Sequence, residues 1–333
     1  MENLLLLSIL ISGAVTFISL PAWIKRAKKG NLTGKDVHKI DKRDVAEAGG
    51  ISVIIGFILG ILTYIAIKTF YFQSNDNIIE IFAIICTIIF VSFIGFVDDI
   101  LGWKIGLNKK TRLILVFFAA IPLMVINAGY SEIMLPFVGK ISLGIIYPLI
   151  LIPLGVVGAS TTFNFIAGYN GLEAGQGIII LSSLAIFSFI TGTTWLSLVA
   201  LCMVASLMSF MYFNKFPSQV FPGDSLTYGV GALIACMAIL GNYEQFAIFI
   251  FSPYIIETLL KTRGKLRKES FGVVQEDGSI KNRYKKIYGL EHLAIKILEK
   301  IKKSGKVYEV EIVLFIYLIQ VIFVILGLLI FVR

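Results

Sequence analysis

Long apolar runs dominate this chain of 333 residues and limit the folds open to it. Hydrophobic residues make up 57% of the sequence and charged residues only 15%, too few to cover a soluble protein of this size. Ten runs approach the roughly 20 residues that cross a bilayer. They are 3–24, 48–71, 79–97, 112–129, 143–162, 175–191, 194–213, 225–241, 243–260 and 309–331. Because backbone groups in lipid must bond internally, we predict an all-α polytopic membrane protein of about ten helices.

The basic residues indicate how these helices are oriented. We number the connections between the ten runs in order and count Arg112, at the start of its run, with the connection before it. The odd connections then carry every Lys and Arg except Lys68, Lys140 and Arg333. Cytoplasmic loops collect Lys and Arg, so we expect the odd connections in the cytoplasm and both termini outside. The net charge of +9 then reflects topology rather than a nucleic-acid partner. We expect a multi-pass plasma-membrane protein whose active site faces the cytoplasm.

A single membrane-embedded domain, 1–333, is predicted, and two of its connections have features of their own. Turn residues and alternating apolar residues in 128–142 favour a short hairpin. The long cytoplasmic loop 261–308 contains an apolar stripe with lysines on the other face, which predicts an amphipathic helix near 290–304. We expect this helix on the anionic leaflet, with packing against the protein as the alternative.

Most groups that could carry chemistry lie at the cytoplasmic ends of the predicted helices. Asp98 and Asp99 close the third run, and Asp224 precedes the eighth. Adjacent aspartates point about 100° apart on a helix, so Asp98 and Asp99 cannot form one symmetric pair. The third cytoplasmic loop, TTFNFIAGYNGLEAGQG, has no Lys or Arg. It supplies two amides and a carboxylate: Asn164, Asn170 and Glu173.

Basic residues near these groups suggest phosphate chemistry. Lys109, Lys110 and Arg112 follow the aspartate pair, and Arg263 and Lys265 open the last cytoplasmic loop. Carboxylate and amide oxygens suit Mg²⁺, while Lys and Arg can take the remaining charge of a pyrophosphate. The sequence has only two histidines and neither a P-loop nor a dinucleotide fingerprint, which disfavours a histidine-ligated zinc site and the common nucleotide-binding folds.

These motifs, in this order, resemble the polyprenyl-phosphate N-acetylhexosamine-1-phosphate transferases of the glycosyltransferase 4 type. The matching strings are LTGKDVHK with AEAGGI, GFVDDILGWK, the third cytoplasmic loop, VFPGDSLTYG and SPYIIETLLKTRGK. The resemblance covers nearly the whole chain and implies ten spans, both termini outside and cytoplasmic catalytic loops. The branch it fits best is the eukaryotic and archaeal one, which loads GlcNAc-1-phosphate from UDP-GlcNAc onto dolichyl phosphate.

The resemblance also implies a role for each matching residue. Four residues match catalytic positions: Asp98, Asp99, Lys110 and Arg263. Six match donor-binding positions: Asp36, Val37, Glu47, Asn170, Phe221 and Lys265. Glu173 of the third loop is the seventh residue predicted to bind the donor. In this set, Asn170 would read uracil and Phe221 would stack on it. Two residues match ligands of Mg²⁺, for which Mn²⁺ can substitute: Asn164 and Asp224. Spacing leaves Lys109 as an alternative to Lys110, and the base role of Asp98 or Asp99 stays open.

The implied reaction transfers a HexNAc-1-phosphate from a UDP-sugar to a polyprenyl phosphate and releases UMP. It would be the first step of lipid-linked glycan synthesis for N-glycosylation or cell-surface glycans. Bacterial members carry aspartates where this chain has Ala167 and Asn170, and a histidine-rich motif where it has only His292. These departures favour GlcNAc over a peptidoglycan precursor. Tunicamycin, which mimics a UDP-HexNAc and inhibits the family, is expected to bind.

The main alternative is a transporter or flippase for an anionic lipid-linked or nucleotide-sugar substrate. Transporters place their polar sites near the bilayer midplane. Here the predicted helices carry almost no charge at mid-depth, and the polar motifs gather at one face. We therefore expect an enzyme whose partners are a UDP-sugar, a polyprenyl phosphate and the bilayer, and we leave a homodimer open.

Overall fold

The computed structural model describes residues 4–102, 106–130, 132–135 and 139–332, and most of them are helical. The helices are α1 (Leu6–Lys29), α2 (Gly50–Ala66), α3 (Ile78–Leu101), α4 (Lys109–Ala119), α5 (Ile121–Val125), α6 (Ile152–Phe163), α7 (Leu172–Ile190), α8 (Thr194–Asn214), α9 (Gly223–Gly241), α10 (Glu244–Ile250), α11 (Ser252–Arg263), α12 (Leu290–Ile301) and α13 (Glu309–Phe331). The strands form three antiparallel pairs: β1 (Thr33–Lys35) with β2 (Asp44–Ala46), β3 (Glu132–Leu135) with β4 (Gly139–Ser142), and β5 (Val273–Val274) with β6 (Ile280–Lys281). The prediction of a mainly helical fold is confirmed.

Within the described residues, seven helices are long and apolar enough to cross a membrane: α1, α2 with its π-helical extension Ile67–Tyr71, α3, α7, α8, α9 and α13. The other three predicted spans consist of shorter helices. Two are interrupted, α4 with α5 and α10 with α11, and in the third the π-turn Tyr147–Leu151 runs directly into α6. Proline lies in the first turn of α5, α6 and α11, where its missing N–H is tolerated. Ten crossings and the outer position of both termini stay predictions.

Small residues let α1 and α2 approach closely. The buried face of α1 carries Ser8, Ser12 and Thr16 at four-residue spacing. Opposite them lie Gly56 and Gly60 of α2, where an added Cβ would come within 2.1 Å of Thr16 Oγ1 and 1.7 Å of Ser12 Oγ, respectively. Helices in membranes commonly pack through such small residues, because lipid provides no hydrophobic drive for association. Any larger side chain at Gly60 would push the two helices apart.

The polar loops lie together at one end of the helix bundle. Strand β2 lies beside the connection between α8 and α9, and its last residue, Ala46, forms a parallel bridge with Val220 of that connection. The Phe221 N–H donates to the Ala46 carbonyl at 2.7 Å, and the Gly49 N–H donates to the Phe221 carbonyl at 2.9 Å. These bonds fix the first loop against the start of α9. The same end contains the C-termini of α3 and α6 and the N-terminus of α7.

The two connections with predicted features are structured. The predicted hairpin is the pair β3–β4, in which Glu132 lies opposite Ser142. In the long loop, α12 begins at Leu290 and turns Leu290, Ala294 and Ile295 into the protein, while Ile301 stays 71% exposed. Placement of α12 on a leaflet stays a prediction.

Candidate active site

The two aspartates at the end of α3 point to different partners. Asp98 accepts a hydrogen bond from Arg112 at 3.0 Å. Asp99 accepts from the backbone N–H groups of Asp224 at 2.7 Å and Ser225 at 3.2 Å. A carboxylate that accepts the free N–H groups at a helix N-terminus satisfies these donors, and its negative charge interacts favourably with the positive end of the helix dipole. Asp99 therefore fixes the start of α9 against the end of α3.

Two glycines permit this close approach. Gly223 has a φ of +71°, and a Cβ there would lie 2.3 Å from Asp99 Oδ2. Gly95 of α3 contacts the backbone of Asp224, so a Cβ there would lie 2.4 Å from the Asp224 carbonyl oxygen. Glycine is the residue that allows both a left-handed conformation and such short backbone distances.

Asp224 is the centre of the polar cluster. Its Oδ2 accepts from Arg112 at 2.9 Å, and its Oδ1 accepts from the Asn164 side-chain amide at 2.9 Å. The Arg112 guanidinium thus bridges Asp98 and Asp224, and both carboxylates are mostly buried. A cation that joins two carboxylates in this way marks a position where the protein requires positive charge. We call Asp98, Asp99, Arg112, Asn164 and Asp224 the central cluster.

The predicted cationic residues lie on the rim of this cluster. Lys110, Arg263 and Lys265 are exposed, and no hydrogen bond or ion pair holds their side chains within the described residues. The Lys109 ammonium donates to the Leu266 carbonyl at 3.0 Å, which brings the turn after α11 beside the start of α4. The roles of these cations in binding phosphate stay predictions.

A second group of predicted residues lies beside strand β1. A Cβ at Gly34 would lie 2.0 Å from Glu47 Oε1 and 3.4 Å from Phe221 Cδ2, so these two side chains meet over the strand. Trp23 holds the Glu47 carbonyl through its indole N–H at 2.9 Å. Val37 is 37% exposed at the end of the strand.

The third cytoplasmic loop joins this group from the other side. Asn170 is buried, and its side-chain NH₂ donates to Asp36 at 3.0 Å. Glu173 is also buried and accepts from the Gly168 N–H at 2.8 Å, which fixes the turn of the loop. The buried position of Glu173 suits support of the loop, and its predicted contact with substrate stays a prediction.

The structure thus brings together residues that are far apart in the chain. Asp98, Asp99, Asn164 and Asp224 form one hydrogen-bonded cluster, and Asp36 bonds directly to Asn170. The residue that the sequence prediction missed is Arg112, which was noted as basic but given no role. No sequence signal singled it out, because Lys109, Lys110 and Arg112 stand together and only the packing of α4 on α3 turns Arg112 to the aspartates.

Glu47 is a titratable residue of the site, and its surroundings shift its pKa. Burial, reinforced by the carboxylates of Asp99 and Glu173, raises the pKa of Glu47 from 4.5 to about 7. Between these pH values the folded protein binds a proton that the unfolded chain has lost. The free energy of unfolding therefore falls as the pH rises through this window.

We expect Glu47→Gln to be more stable than the wild type at pH 8, by about 1–2 kcal/mol or roughly 2–5 °C in Tm. At about pH 3.5 the two proteins should melt together, because Glu47 is then largely protonated in both the folded and the unfolded state. Thermal unfolding in detergent with EDTA and without donor measures this difference. The exposed Glu276→Gln is the matched control and should show no pH-dependent gain. Parallel pH profiles for wild type and Glu47→Gln would contradict the expected shift.

The fold and the central cluster together define a polytopic membrane protein whose carboxylates, amides and cations lie at one end of the helix bundle. The sequence profile of glycosyl transferase family 4 matches residues 81–242, which contain the whole central cluster. A protein of Saccharolobus solfataricus is 35% identical over 97% of this chain and 95% of its own length. It is provisionally named a UDP-N-acetylglucosamine–dolichyl-phosphate N-acetylglucosaminephosphotransferase.

Two further relatives help to place the chain. A Dictyostelium discoideum protein named for the same transferase is 28% identical over 74% of this chain and 69% of its own length. A phospho-N-acetylmuramoyl-pentapeptide-transferase of Halalkalibacterium halodurans is 29% identical over 80% of this chain and 86% of its own. The chain belongs to glycosyl transferase family 4, and the resemblance predicted from the motifs is confirmed.

Proposed function

We propose that this protein transfers GlcNAc-1-phosphate, or a closely related HexNAc-1-phosphate, from a UDP-sugar to a dolichyl or other polyprenyl phosphate. UMP is the second product, and the reaction begins the synthesis of a lipid-linked glycan for N-glycosylation or the cell surface. The observation that carries the proposal is the central cluster, in which Asp98, Asn164 and Asp224 converge from three helices around Arg112. Relatives that match almost the full chain and are named for this reaction support it.

The residues of the central cluster fit Mg²⁺. Asp224 offers carboxylate oxygens, and Asn164, which donates its NH₂ to Asp224, offers an amide oxygen. Asp224 and Asn164 would hold the ion, which when bound neutralises charge on the donor's phosphates. Arg112 already supplies positive charge between Asp98 and Asp224, and Lys110, Arg263 and Lys265 can close on the pyrophosphate from the rim.

In the proposed reaction, an oxygen of the lipid phosphate attacks the β-phosphorus of the UDP-sugar. The bond from this phosphorus to the oxygen bridging the two phosphates breaks, and UMP leaves with that oxygen. The protein's work is to position the two phosphates and to neutralise their charge. A lipid phosphate is already ionised near neutral pH, so no strong base is required.

The contacts of the aspartate pair support positioning roles. Both oxygens of Asp99 accept backbone N–H groups of α9, and Asp98 is paired with Arg112. These bonds hold each carboxylate in contact with another residue of the cluster. We therefore assign Asp99 to the placement of Asp224 and Asp98 to the placement of Arg112.

We place the site on the cytoplasmic face of the plasma membrane. The support is the charge asymmetry of the loops, since the polar end of the bundle carries the connections rich in Lys and Arg. This orientation gives the site access to cytosolic UDP-sugars. The apolar acceptor chain would remain in the bilayer beside the helices.

A donor panel tests the proposal. Purified protein with Mg²⁺ and polyprenyl phosphate should release UMP from UDP-GlcNAc and leave UDP-MurNAc-pentapeptide unchanged. Omitting the lipid phosphate should stop release, which separates transfer from hydrolysis. Turnover of the pentapeptide donor alone would assign the chain to a peptidoglycan precursor, and the absence of turnover with any UDP-sugar would contradict the proposed function.

A further inference from the structure

Asn170 is held by contacts on two sides. Its backbone N–H donates to Glu309, the first residue of α13, at 2.7 Å. Its side-chain NH₂ donates to Asp36 Oδ2 at 3.0 Å. Only 7% of Asn170 is exposed. Within the described residues its Oδ1 accepts no hydrogen bond, and this oxygen is accessible to solvent. The amide therefore presents its oxygen to open space and its NH₂ to the protein.

Asp36 is itself fixed in place, so it dictates how the amide lies. Its Oδ1 accepts the His38 N–H at 3.2 Å, and the Lys39 ammonium lies 3.6 Å from its Oδ2. His38 stacks on Tyr169, the neighbour of Asn170, with ring centroids 4.1 Å apart. A carboxylate can accept hydrogen bonds but cannot donate them when ionised, so only the NH₂ of Asn170 can face it. The reversed amide would place an oxygen against a buried carboxylate, which is costly.

The outward Oδ1 has a consequence for the donor's base. This step rests on the proposed function, and it takes from the sequence analysis the prediction that Asn170 contacts the uracil of the UDP-sugar. Uracil carries a hydrogen on N3 and can donate it to Oδ1. Cytosine has a bare nitrogen at N3, so an acceptor would face an acceptor there. Stacking on a ring such as Phe221 serves both pyrimidines, because every base has a π-face. Discrimination between them therefore falls to the orientation of the amide.

We infer that Asp36 is a positioning residue that fixes the Asn170 amide with its oxygen outward and thereby makes the site select uracil over cytosine. Asp36 need not touch the nucleotide for this role. Its contribution passes through a single hydrogen bond to Asn170, so exchange of the donor and acceptor between the two residues should preserve the selection.

Substitution of Asp36 by asparagine provides the test. In Asp36→Asn the new Oδ1 can keep the bond from the His38 N–H, which turns the new NH₂ toward Asn170. Asn170 then keeps a hydrogen bond to residue 36 only if it reverses its amide and presents its NH₂ outward, where it suits cytosine N3. The ratio of UMP affinity to CMP affinity, measured by calorimetry on the full-length protein in detergent, should fall about tenfold or more from the wild-type value.

The double variant Asp36→Asn/Asn170→Asp exchanges donor and acceptor without changing the net charge. One carboxylate oxygen at position 170 would accept from residue 36 and the other would face outward, so the preference for UMP should return. Asp44→Asn, in the same hairpin and paired with Lys35 at an exposed position, removes a carboxylate without contacting Asn170 and should leave the ratio unchanged. Thermal unfolding of each variant verifies that it is folded.

Each result decides between distinct conclusions. A folded Asp36→Asn that keeps the wild-type ratio, or loses affinity equally for both nucleotides, would overturn the inference, and so would a double variant that stays unselective. Equal binding of UMP and CMP by the wild type would do the same while leaving phosphosugar transfer intact. If the wild type binds neither nucleotide, the proposed function itself fails and this inference fails with it.

Discussion

Replacement of Asp224 by asparagine is expected to reduce turnover of UDP-GlcNAc at ordinary Mg²⁺ by about a thousandfold or more. Asp224 is the residue that meets both Arg112 and Asn164, and it is mostly buried. Asparagine keeps the shape but loses the charge that would hold a divalent cation and the ion pair with Arg112. Steady-state UMP release measures the activity, and Mg²⁺-dependent stabilisation against heat measures ion binding separately.

The fold of Asp224→Asn should survive, because the backbone bond from residue 224 to Asp99 does not use the changed side chain. Asp277→Asn is the matched control, since Asp277 forms an ion pair with Lys306 on the surface hairpin. It should keep both activity and Mg²⁺ stabilisation. Near-normal turnover in folded Asp224→Asn, with Mg²⁺ stabilisation intact, would remove Asp224 from the proposed metal site.

Arg112→Met should lower kcat by about a hundredfold or more. The guanidinium joins Asp98 and Asp224, so its loss leaves two neighbouring carboxylates without their cation and removes positive charge from the proposed phosphate site. Arg112→Lys should recover only part of the activity, because an ammonium is a point charge without the planar fork of arginine. The variants are compared by kcat and KM for the donor and by Tm with and without Mg²⁺.

The unpaired carboxylates also give Arg112→Met a signature beyond lost activity. Without Mg²⁺ its Tm should fall, and Mg²⁺ should raise that Tm by more than it raises the wild-type value, because the ion replaces the missing charge. Arg283→Met is the control, since Arg283 pairs with Glu269 on the exposed surface. Wild-type kcat in folded Arg112→Met would show that the bridge is dispensable.

The helices were predictable from the sequence because apolar runs of membrane length leave the backbone few other solutions. The interruptions were less visible. Pro122 and Pro253 stand inside runs that hydropathy alone treats as continuous, and only the structure shows where these two helices break. The run around Pro153 stays helical from Tyr147 to Phe163. The pairing of Gly60 with Ser12 depends on how two helices pack, and periodicity within one helix does not contain that information.

The candidate site was predicted through family motifs more than through local pattern. No period links Asn164 to Asp224 or Asp36 to Asn170, because these pairs form only when distant loops meet at one end of the bundle. The resemblance supplied the residues, and the structure supplied their partners. Arg112 had no role in the prediction because three cations stand together there, and only the packing of α4 on α3 decides which one faces the aspartates.

The fate of the donor's β-phosphorus tests the central claim most directly. UDP-GlcNAc labelled with radioactive phosphorus at the β position is incubated with the protein, Mg²⁺ and polyprenyl phosphate, and lipid and aqueous products are separated. Phosphosugar transfer predicts that the label moves into the lipid in equal amount to unlabelled UMP. Label that leaves as UDP while only sugar enters the lipid, or label that stays in the intact donor, would contradict the account.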